Sequence, residues 1–226
     1  MLAELKNIKK IVQDASESRV LLSDISFTLD DNDIIALVGT SGAGKTALLR
    51  ILGCLDSTTQ GEYILNGNNV SGLSESGLAV VRRKSIGFLG FEPEFLETMS
   101  VEECLEFPFS GLSLSSKEKR NKILEILEFI GLLSKLKTSL KQLPFPEKMH
   151  IAAARAFIKR PALIIADEPG KKLHSYESAA LFDLLVALRR EYGGTLIFST
   201  YDPAHLKKAY RLFYMKNGKI IKIEDV

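Results

Sequence analysis

The stretch GTSGAGKT, residues 39–46, decides the fold of this 226-residue chain. It fills every fixed position of the phosphate-binding pattern G-x-x-x-x-G-K-[ST]. An apolar run, residues 34–38, precedes it, and a helix-like run, residues 47–55, follows it. Strand, glycine-rich loop and helix, in this order, are the context in which the pattern binds nucleotide phosphates. The stretch therefore predicts a nucleotide-binding α/β domain.

The residue types in this loop are those that phosphate binding requires. We expect Gly39, Gly42 and Gly44 to adopt backbone angles closed to other residues, so that successive N–H groups turn inward. Lys45 would place a cation on the terminal phosphates, and the Thr46 hydroxyl would bind Mg²⁺. The expected nucleotide-binding residues are Gly39, Thr40, Ser41, Gly42, Ala43, Gly44, Lys45, Thr46 and Ala47.

A second apolar run ends in two acidic residues. Residues 162–166 have the pattern of a strand buried on both faces, and Asp167 and Glu168 follow it. Ligands bind at the carboxyl ends of the strands in open α/β sheets. We therefore expect Asp167 to hold Mg²⁺ together with Thr46. Glu168 is placed to act as the general base that polarises an attacking water.

Length and composition fit one large domain, or one domain with an insertion. The 30 basic and 28 acidic residues give a net charge of +2, so we expect no nucleic-acid partner. Cys54 and Cys104 are expected to be buried free thiols in a reducing compartment. Because no apolar run approaches the length of a bilayer span and no signal peptide is evident, we expect a cytoplasmic protein without direct membrane insertion.

The hydrophobic periodicity predicts an α/β core interrupted by a helical insertion over residues 93–148, with loops near 107–113 and 143–146. Asn66-Gly67 and Asn217-Gly218 predict tight turns. The expected strands are 5–12, 26–30, 34–38, 62–66, 86–89, 162–166, 195–199, 211–216 and 219–223. The expected helices of the core are 47–55, 74–84, 149–159, 177–192 and 203–210.

Over nearly its whole length the chain resembles the nucleotide-binding subunit of an ABC transporter. Among such subunits it is similar to the compact ATPases of lipoprotein-releasing, macrolide-efflux and cell-division systems. The residues that carry the resemblance are 21–27, 39–46, Ile86-Gly87-Phe88, 152–156, 163–169 and Asn217-Gly218-Lys219.

The resemblance implies an α/β fold with a P-loop NTPase core of the RecA-like type, an N-terminal antiparallel β subdomain and a helical subdomain insertion. It implies a single domain over residues 1–226, whose core comprises about 1–91 and 149–226 and whose helical subdomain is about 92–148. Two such subunits would sandwich two ATP molecules head to tail. The partners implied are ATP with Mg²⁺ and a membrane permease subunit or a second ATPase subunit, in a homo- or heterodimer. The expected place is the cytoplasm, at the inner face of the cell membrane.

The loop that would contact the partner's nucleotide departs from the family pattern. The family has Leu-Ser-Gly-Gly-Gln, or its Glu variant, where this chain has Leu143-Pro144-Phe145-Pro146-Glu147. The serine hydroxyl and both glycine amides are replaced, and two prolines remove N–H donors. We therefore expect an asymmetric heterodimer, in which this chain supplies one competent phosphate loop.

Four further positions also depart from the pattern. The expected glutamine falls near Gly90-Phe91, and the expected histidine is Tyr201. The aspartate of the loop after Pro169 falls at His174. The aromatic residue that stacks on adenine aligns near Ile11 or Val12, which implies weak adenine selectivity.

Three functions stay open at this point. The first is an ATP-binding transporter subunit that hydrolyses ATP slowly to drive a membrane partner, and the retained Glu168 favours it. The second is a regulatory or structural ATP-binding protein with little or no turnover. The third, a P-loop kinase for a small molecule, is weaker, because Arg82-Arg83 is the only tight arginine pair before the Asp-Glu strand. Whether the chain is an enzyme is thus uncertain, with ATPase activity favoured. His150 and His174 are expected to be surface groups, because no second His or Cys lies at metal spacing.

Overall fold

The computed structural model describes residues 1–14, 17–93 and 95–226. The strands are β1 (Ala3–Asp14), β2 (Glu17–Leu29), β3 (Ile34–Val38), β4 (Gln60–Leu65), β5 (Asn68–Asn69), β6 (Ile86–Leu89), β7 (Leu163–Asp167), β8 (Thr195–Ser199), β9 (Arg211–Lys216) and β10 (Lys219–Asp225). The helices are α1 (Lys45–Leu52), α2 (Glu75–Ser85), α3 (Val101–Glu106), α4 (Ser116–Phe129), α5 (Phe145–Phe157), α6 (Ser175–Tyr192) and α7 (Pro203–Leu206).

The strands form two sheets. One is antiparallel, in the order β2-β1-β4-β5, and the other has six strands in the order β10-β9-β3-β8-β7-β6. In the second sheet the strands from β9 to β6 are parallel, and only the edge strand β10 is antiparallel. The carboxyl ends of β3, β8 and β7 therefore meet at one edge, where α/β sheets bind ligands. This confirms the expected α/β fold with an antiparallel β subdomain.

Two hydrophobic cores lie on opposite faces of the parallel sheet. The alternation of β3 shows this, because Ile34 and Ala36 belong to one core and Ile35 and Leu37 to the other. We call the first the helical-side core, since α3 to α6 pack into it, and it contains Cys104. The second, the antiparallel-side core, contains the antiparallel sheet, α1 and Cys54. Both cysteines are buried free thiols, as expected.

The first hairpin is longer than the sequence predicts. Strand β2 was expected at 26–30 but begins at Glu17, and β1 continues to Asp14. The pairs Gln13–Ser18 and Asp14–Glu17 hold the two ends together. Part of the expected polar connection, residues 15–16, lies outside the described residues. Leu22 and Ile25 of this extension are buried, but shifts in the β1–β2 register interrupt the pairing, so the buried residues do not alternate regularly along the sequence.

Helix α5 begins earlier than predicted. The sequence suggested a loop near 143–146 and a helix from 149, but the helix begins at Phe145 and Pro146 lies in its first turn. Proline is tolerated there because the first-turn N–H groups lack helical partners in any case. The helix spans the expected boundary at 148/149, and the division into core and helical subdomain remains a prediction. Helix α7 is shorter than the expected 203–210, ending at Leu206.

No helix in the described part of the chain is both long enough and apolar enough to cross a membrane.

Candidate functional site

The phosphate loop follows β3 and ends at the first turn of α1. Gly42 and Gly44 have positive φ angles of 77° and 102°, as expected for a loop that turns its N–H groups inward. Gly39 differs from the expectation, since its φ is not positive. A Cβ atom at Gly39 would lie 2.5 Å from the Met215 carbonyl oxygen on β9. Close packing against the neighbouring strand therefore requires glycine at position 39.

Lys45 is buried at the base of this loop, with 4% of its surface exposed. Its Nζ donates hydrogen bonds to the carbonyl oxygens of Gly39 at 2.7 Å and Thr40 at 3.1 Å. The same ammonium lies 4.2 Å from the centre of the Tyr201 ring, within cation–π range. These contacts hold the Lys45 ammonium at the base of the loop.

One open cavity of about 690 Å³ brings the expected site residues together. Ser41 to Ala47, Asp167 and Glu168 all line it. Gly39 and Thr40 do not line the cavity, but their carbonyl oxygens accept hydrogen bonds from Lys45, which does. The other lining residues are Arg19, Val20, Leu21, Arg50, Asp56, Phe91, Lys171, Tyr201, Asn217 and Gly218.

Ser199 positions the two acidic residues, a role that sequence reasoning missed. Its Oγ donates a hydrogen bond to Asp167 Oδ1 at 2.7 Å and accepts one from the Glu168 backbone N–H at 2.9 Å. Ser199 pairs with Asp167 across β8 and β7, so both lie at the carboxyl end of the sheet. The sequence could have indicated this role, because Ser199 is the last residue of the predicted strand 195–199 and ligands bind at the carboxyl ends of such strands.

Glu168 has an unusual backbone conformation and an ionic partner. Its φ is 47°, in the left-handed region that non-glycine residues seldom adopt. Such strained residues cluster at functional sites. Its Oε2 lies 3.1 Å from Lys171 Nζ, so the carboxylate is ion-paired in this structure.

Phe91 and Tyr201 also line the cavity, at positions where the family pattern has a glutamine and a histidine. The Phe91 ring faces two ammonium groups, Lys171 at 5.1 Å and Lys172 at 5.6 Å from its centre. Tyr201 is 53% exposed. At both positions an aromatic ring therefore faces a lysine ammonium, Lys45 for Tyr201 and Lys171 with Lys172 for Phe91.

The histidines differ in environment. His174 is exposed and precedes α6, as expected, whereas His150 is half-buried, so its assignment to the surface was wrong. His205, which sequence reasoning did not consider, is 3% exposed. Its Nδ1 is 3.0 Å from Thr200 Oγ1, and its ring stacks on Phe182 at 3.8 Å between centres. His205 therefore fixes the segment that carries Tyr201.

Among the residues that the structure describes, no aromatic side chain lines the end of the cavity beside the hairpin of β1 and β2. Arg19 and Val20 line it, and they pair across the hairpin with Val12 and Ile11. Val20 is 52% exposed. An aliphatic side chain and a guanidinium therefore stand where a base would stack.

The oxygen donors at the strand ends suit a hard cation. Thr46 offers a hydroxyl and Asp167 a carboxylate, and both line the same cavity. The described residues contain no cluster of three or more His, Cys, Asp or Glu side chains that could hold a metal ion. Mg²⁺ fits this donor set, because it keeps several waters and takes further ligands from phosphates.

The segment Leu143–Glu147 leads into α5 and is buried only in part, with Pro144 exposed. Pro144 occupies the N-cap position, where its ring offers no oxygen to cap the helix. Leu143 is buried, and Phe145 packs against the helical-side core. Glu147 Oε2 is buried without a hydrogen-bond partner among the described residues, and its nearest cation, Lys135 Nζ, is 3.8 Å away. The segment thus presents no serine or glycine to a neighbouring molecule.

Comparisons with known proteins agree with this geometry. A family model described as ABC transporter matches residues 22–171. The chain is 36% identical over 201 residues to the lipoprotein-releasing system ATP-binding protein LolD of Bacteroides fragilis, covering 89% of this chain and 93% of that protein. It is 31% identical to an uncharacterized ABC transporter ATP-binding protein, YknY, of Bacillus subtilis, covering 96% of this chain and 94% of that one.

A longer relative and a solved structure add to this. The macrolide export ATP-binding/permease protein MacB of Hyphomonas neptunium is 35% identical over 97% of this chain, which covers only 34% of that protein. A solved dimeric ATP-binding cassette in a post-hydrolysis state, bound to ADP and Pi, superposes with a TM-score of 0.89 at 28% identity. The superposition covers 99% of this chain and 98% of the other. None of these matches supports the kinase hypothesis.

Proposed function

The chain belongs to the ABC transporter family, and from this membership we propose that it binds Mg-ATP in the cavity at the phosphate loop and hydrolyses it slowly to drive a membrane partner. The observation that carries the proposal is the meeting of Lys45, Thr46, Asp167 and Glu168 in that one cavity. A cationic, glycine-rich loop at a helix N-terminus is the chemistry that holds a nucleotide's phosphates.

Mg²⁺ would be held by Thr46 and Asp167, with Ser199 fixing one oxygen of the carboxylate. When bound, the ion would neutralise charge that develops on the transferred phosphoryl group. Glu168 would orient and deprotonate the attacking water. Its backbone N–H is fixed by Ser199, so the carboxylate starts from a defined position.

We expect slow ATP hydrolysis because of the residues that surround the proposed general base, Glu168. Stabilisation of the transferring phosphoryl group is the main catalytic contribution in such sites. Tyr201 and Phe91 present aromatic rings where the family has polar donors, and Leu143–Glu147 offers no serine hydroxyl or glycine amide. By analogy with oxyanion holes, each lost donor lowers the rate by about 10²- to 10³-fold.

The relatives indicate the kind of partner. LolD belongs to a lipoprotein-releasing system, and MacB combines an ATP-binding part with a permease in one protein. We place this chain in the cytoplasm at the inner face of the membrane, where it binds a permease subunit. The solved cassette is dimeric, and for this chain a heterodimer with an intact second subunit would offer one complete ATP site.

The second candidate is an ATP-binding regulatory subunit with little turnover. The packing of Leu143 in the helical-side core and of Phe145 against it favours this candidate, because these two apolar side chains contact the protein and offer no group to a phosphate. Turnover in the presence of the permease separates the two candidates, since a regulatory subunit would bind ATP without hydrolysing it.

The experiment that tests the proposal measures Mg-ATP binding by calorimetry and phosphate release for the wild type, Lys45→Ala and Glu168→Gln. We expect Lys45→Ala to lose binding and Glu168→Gln to bind ATP but release no phosphate. The wild type alone should turn over well below the ~10 per second typical of enzymes. Equal binding by the wild type and Lys45→Ala would refute the site, and activity that survives Glu168→Gln would refute the base.

A further inference from the structure

Lys171 is a second cation at the carboxylate end of the cavity. Its backbone N–H donates to the Glu168 carbonyl oxygen at 3.0 Å, which closes a turn just after β7. Its Nζ lies 3.1 Å from Glu168 Oε2 and 5.1 Å from the centre of the Phe91 ring. The ammonium therefore lies at the wall of the cavity, between the base and an aromatic face.

The charges at this end of the cavity balance only with Lys171. Two carboxylates, Asp167 and Glu168, lie there with two ammonium groups, Lys45 and Lys171. The other carboxylate of the cavity, Asp56, lies 3.8 Å from Arg50 and 2.5 Å from Lys10. Without Lys171, a terminal phosphate would meet Lys45 and the Mg²⁺ proposed at Thr46 and Asp167, but no positive charge beside the Glu168 carboxylate.

The ammonium of Lys171 is charged, and its side chain is largely exposed to solvent. The hydrogen bond and charge of Glu168 raise the pKa of Lys171, and the nearby Tyr201 and Asp167 raise it further. The Lys171 side chain is 55% exposed, whereas the Glu168 side chain is 12% exposed. Because solvent reaches the lysine side of this ion pair, the attraction is screened, and a group of higher charge can displace Glu168 as the partner of Lys171. Lysine, a compact cation on a flexible stem, suits such an exchange.

We propose that Lys171 is a phosphate-binding residue of this chain: it pairs with Glu168 in the absence of nucleotide and binds the terminal phosphate when ATP occupies the cavity. The exchange releases the Glu168 carboxylate for the attacking water. It also supplies, from the same chain, positive charge at a phosphate that the segment Leu143–Glu147 of a second copy could not contact. The inference rests on the proposed ATP-binding function and assigns one more residue to that site.

The test compares the dissociation constants of Mg-ATP and Mg-ADP, measured by calorimetry, for the wild type, Lys171→Ala, Lys171→Arg and Lys172→Ala. Because the contact is to the terminal phosphate, Lys171→Ala should weaken ATP binding about tenfold and change ADP binding by less than about twofold. Lys171→Arg should restore most of the preference for ATP. Lys172→Ala is the matched control, since Lys172 contacts the same Phe91 ring but pairs with Glu92 at 2.8 Å. It should bind both nucleotides as the wild type does.

The outcomes separate this inference from the proposed function. If the wild type binds ATP through Lys45 and Lys171→Ala keeps the same ATP-to-ADP ratio, Lys171 does not bind the terminal phosphate and the inference is wrong. An increase in turnover with no change in that ratio would show that Lys171 only restrains Glu168, which also overturns it. A wild type that binds no ATP would remove the proposed function and the inference together. Thermal melts of each variant check that folding is unchanged, and Lys171→Gln serves as a second neutral substitution.

Discussion

At the scale of single residues, the buried His205 makes the stability of the folded protein depend on pH. Burial lowers the pKa of His205, with Lys208 acting in the same direction and Asp202 and Asp183 opposing it. Because the folded-state pKa lies below the value of about 6.5 for an unfolded chain, the unfolded state binds more protons under acidic conditions. The stability of the protein therefore falls as the pH drops below about 6.5.

We predict that His205→Gln flattens this dependence between pH 7 and pH 5, because glutamine keeps polar contacts but takes up no proton. Urea unfolding at several pH values measures it. His174→Gln, at an exposed position, is the control and should keep the wild-type slope. Burial also lowers the pKa of His150, so part of the slope remains until that residue is replaced too. An unchanged slope in His205→Gln would contradict the prediction.

Site residues that belong to a local sequence motif could be predicted from the sequence. Site residues that act through contacts between distant strands and helices could not. Lys45 and Thr46 belong to one continuous pattern, and Asp167 follows a recognisable buried strand. Ser199 and His205 act through contacts between elements that are far apart in the chain, such as the alignment of β7 with β8. No local spacing encodes that alignment, so these residues emerged only from the structure.

At the scale of elements, the start of α5 determines what the protein offers a second subunit. The N-cap is Pro144 and the first turn contains Phe145 and Pro146, so this helix start has no capping side chain and offers no serine hydroxyl or glycine amide. The loss of the serine hydroxyl and the two glycine amides could be read directly from the sequence of residues 143–147. The sequence did not predict the early start of the helix, because prolines normally indicate a loop.

We predict that replacing residues 144–146 with Ser-Gly-Gly increases ATP-dependent dimerisation and turnover, since it introduces a hydroxyl and two unhindered amides at the helix start. Removing the Phe145 ring should lower the free energy of unfolding by roughly 1 to 3 kcal/mol, less than for a fully buried phenylalanine. Light scattering with and without Mg-ATP measures dimerisation, and Phe145→Ala alone controls for the lost packing. No gain over that control would assign the defect to Phe91 and Tyr201.

At the scale of the whole molecule, the α/β order of the elements followed from patterns of burial. Strands β7 and β8 are buried throughout, and β3 is buried except at its last residue, so continuous apolar runs located all three closely. The hairpin of β1 and β2 was predicted too short, because register shifts between the strands break the regular alternation of buried and exposed residues. How the two sheets lie on each other, and hence which residues share the cavity, required the three-dimensional structure.

Each of the two cores holds one cysteine, so the rate at which each thiol is alkylated reports how often the core around it opens. Burial raises the pKa of Cys54 to about 11 and also raises that of Cys104, so neither thiol reacts until the structure around it opens. Cys54 closely follows α1, which begins at the phosphate loop, whereas Cys104 lies in α3 on the other face of the sheet.

We predict that Mg-ATP at 100 times its dissociation constant slows alkylation of Cys54 up to about 100-fold and that of Cys104 less. Mass spectrometry of the alkylated peptides, with Cys54→Ala and Cys104→Ala to isolate each thiol, measures both rates. Equal protection of the two thiols would mean that both faces of the sheet open together.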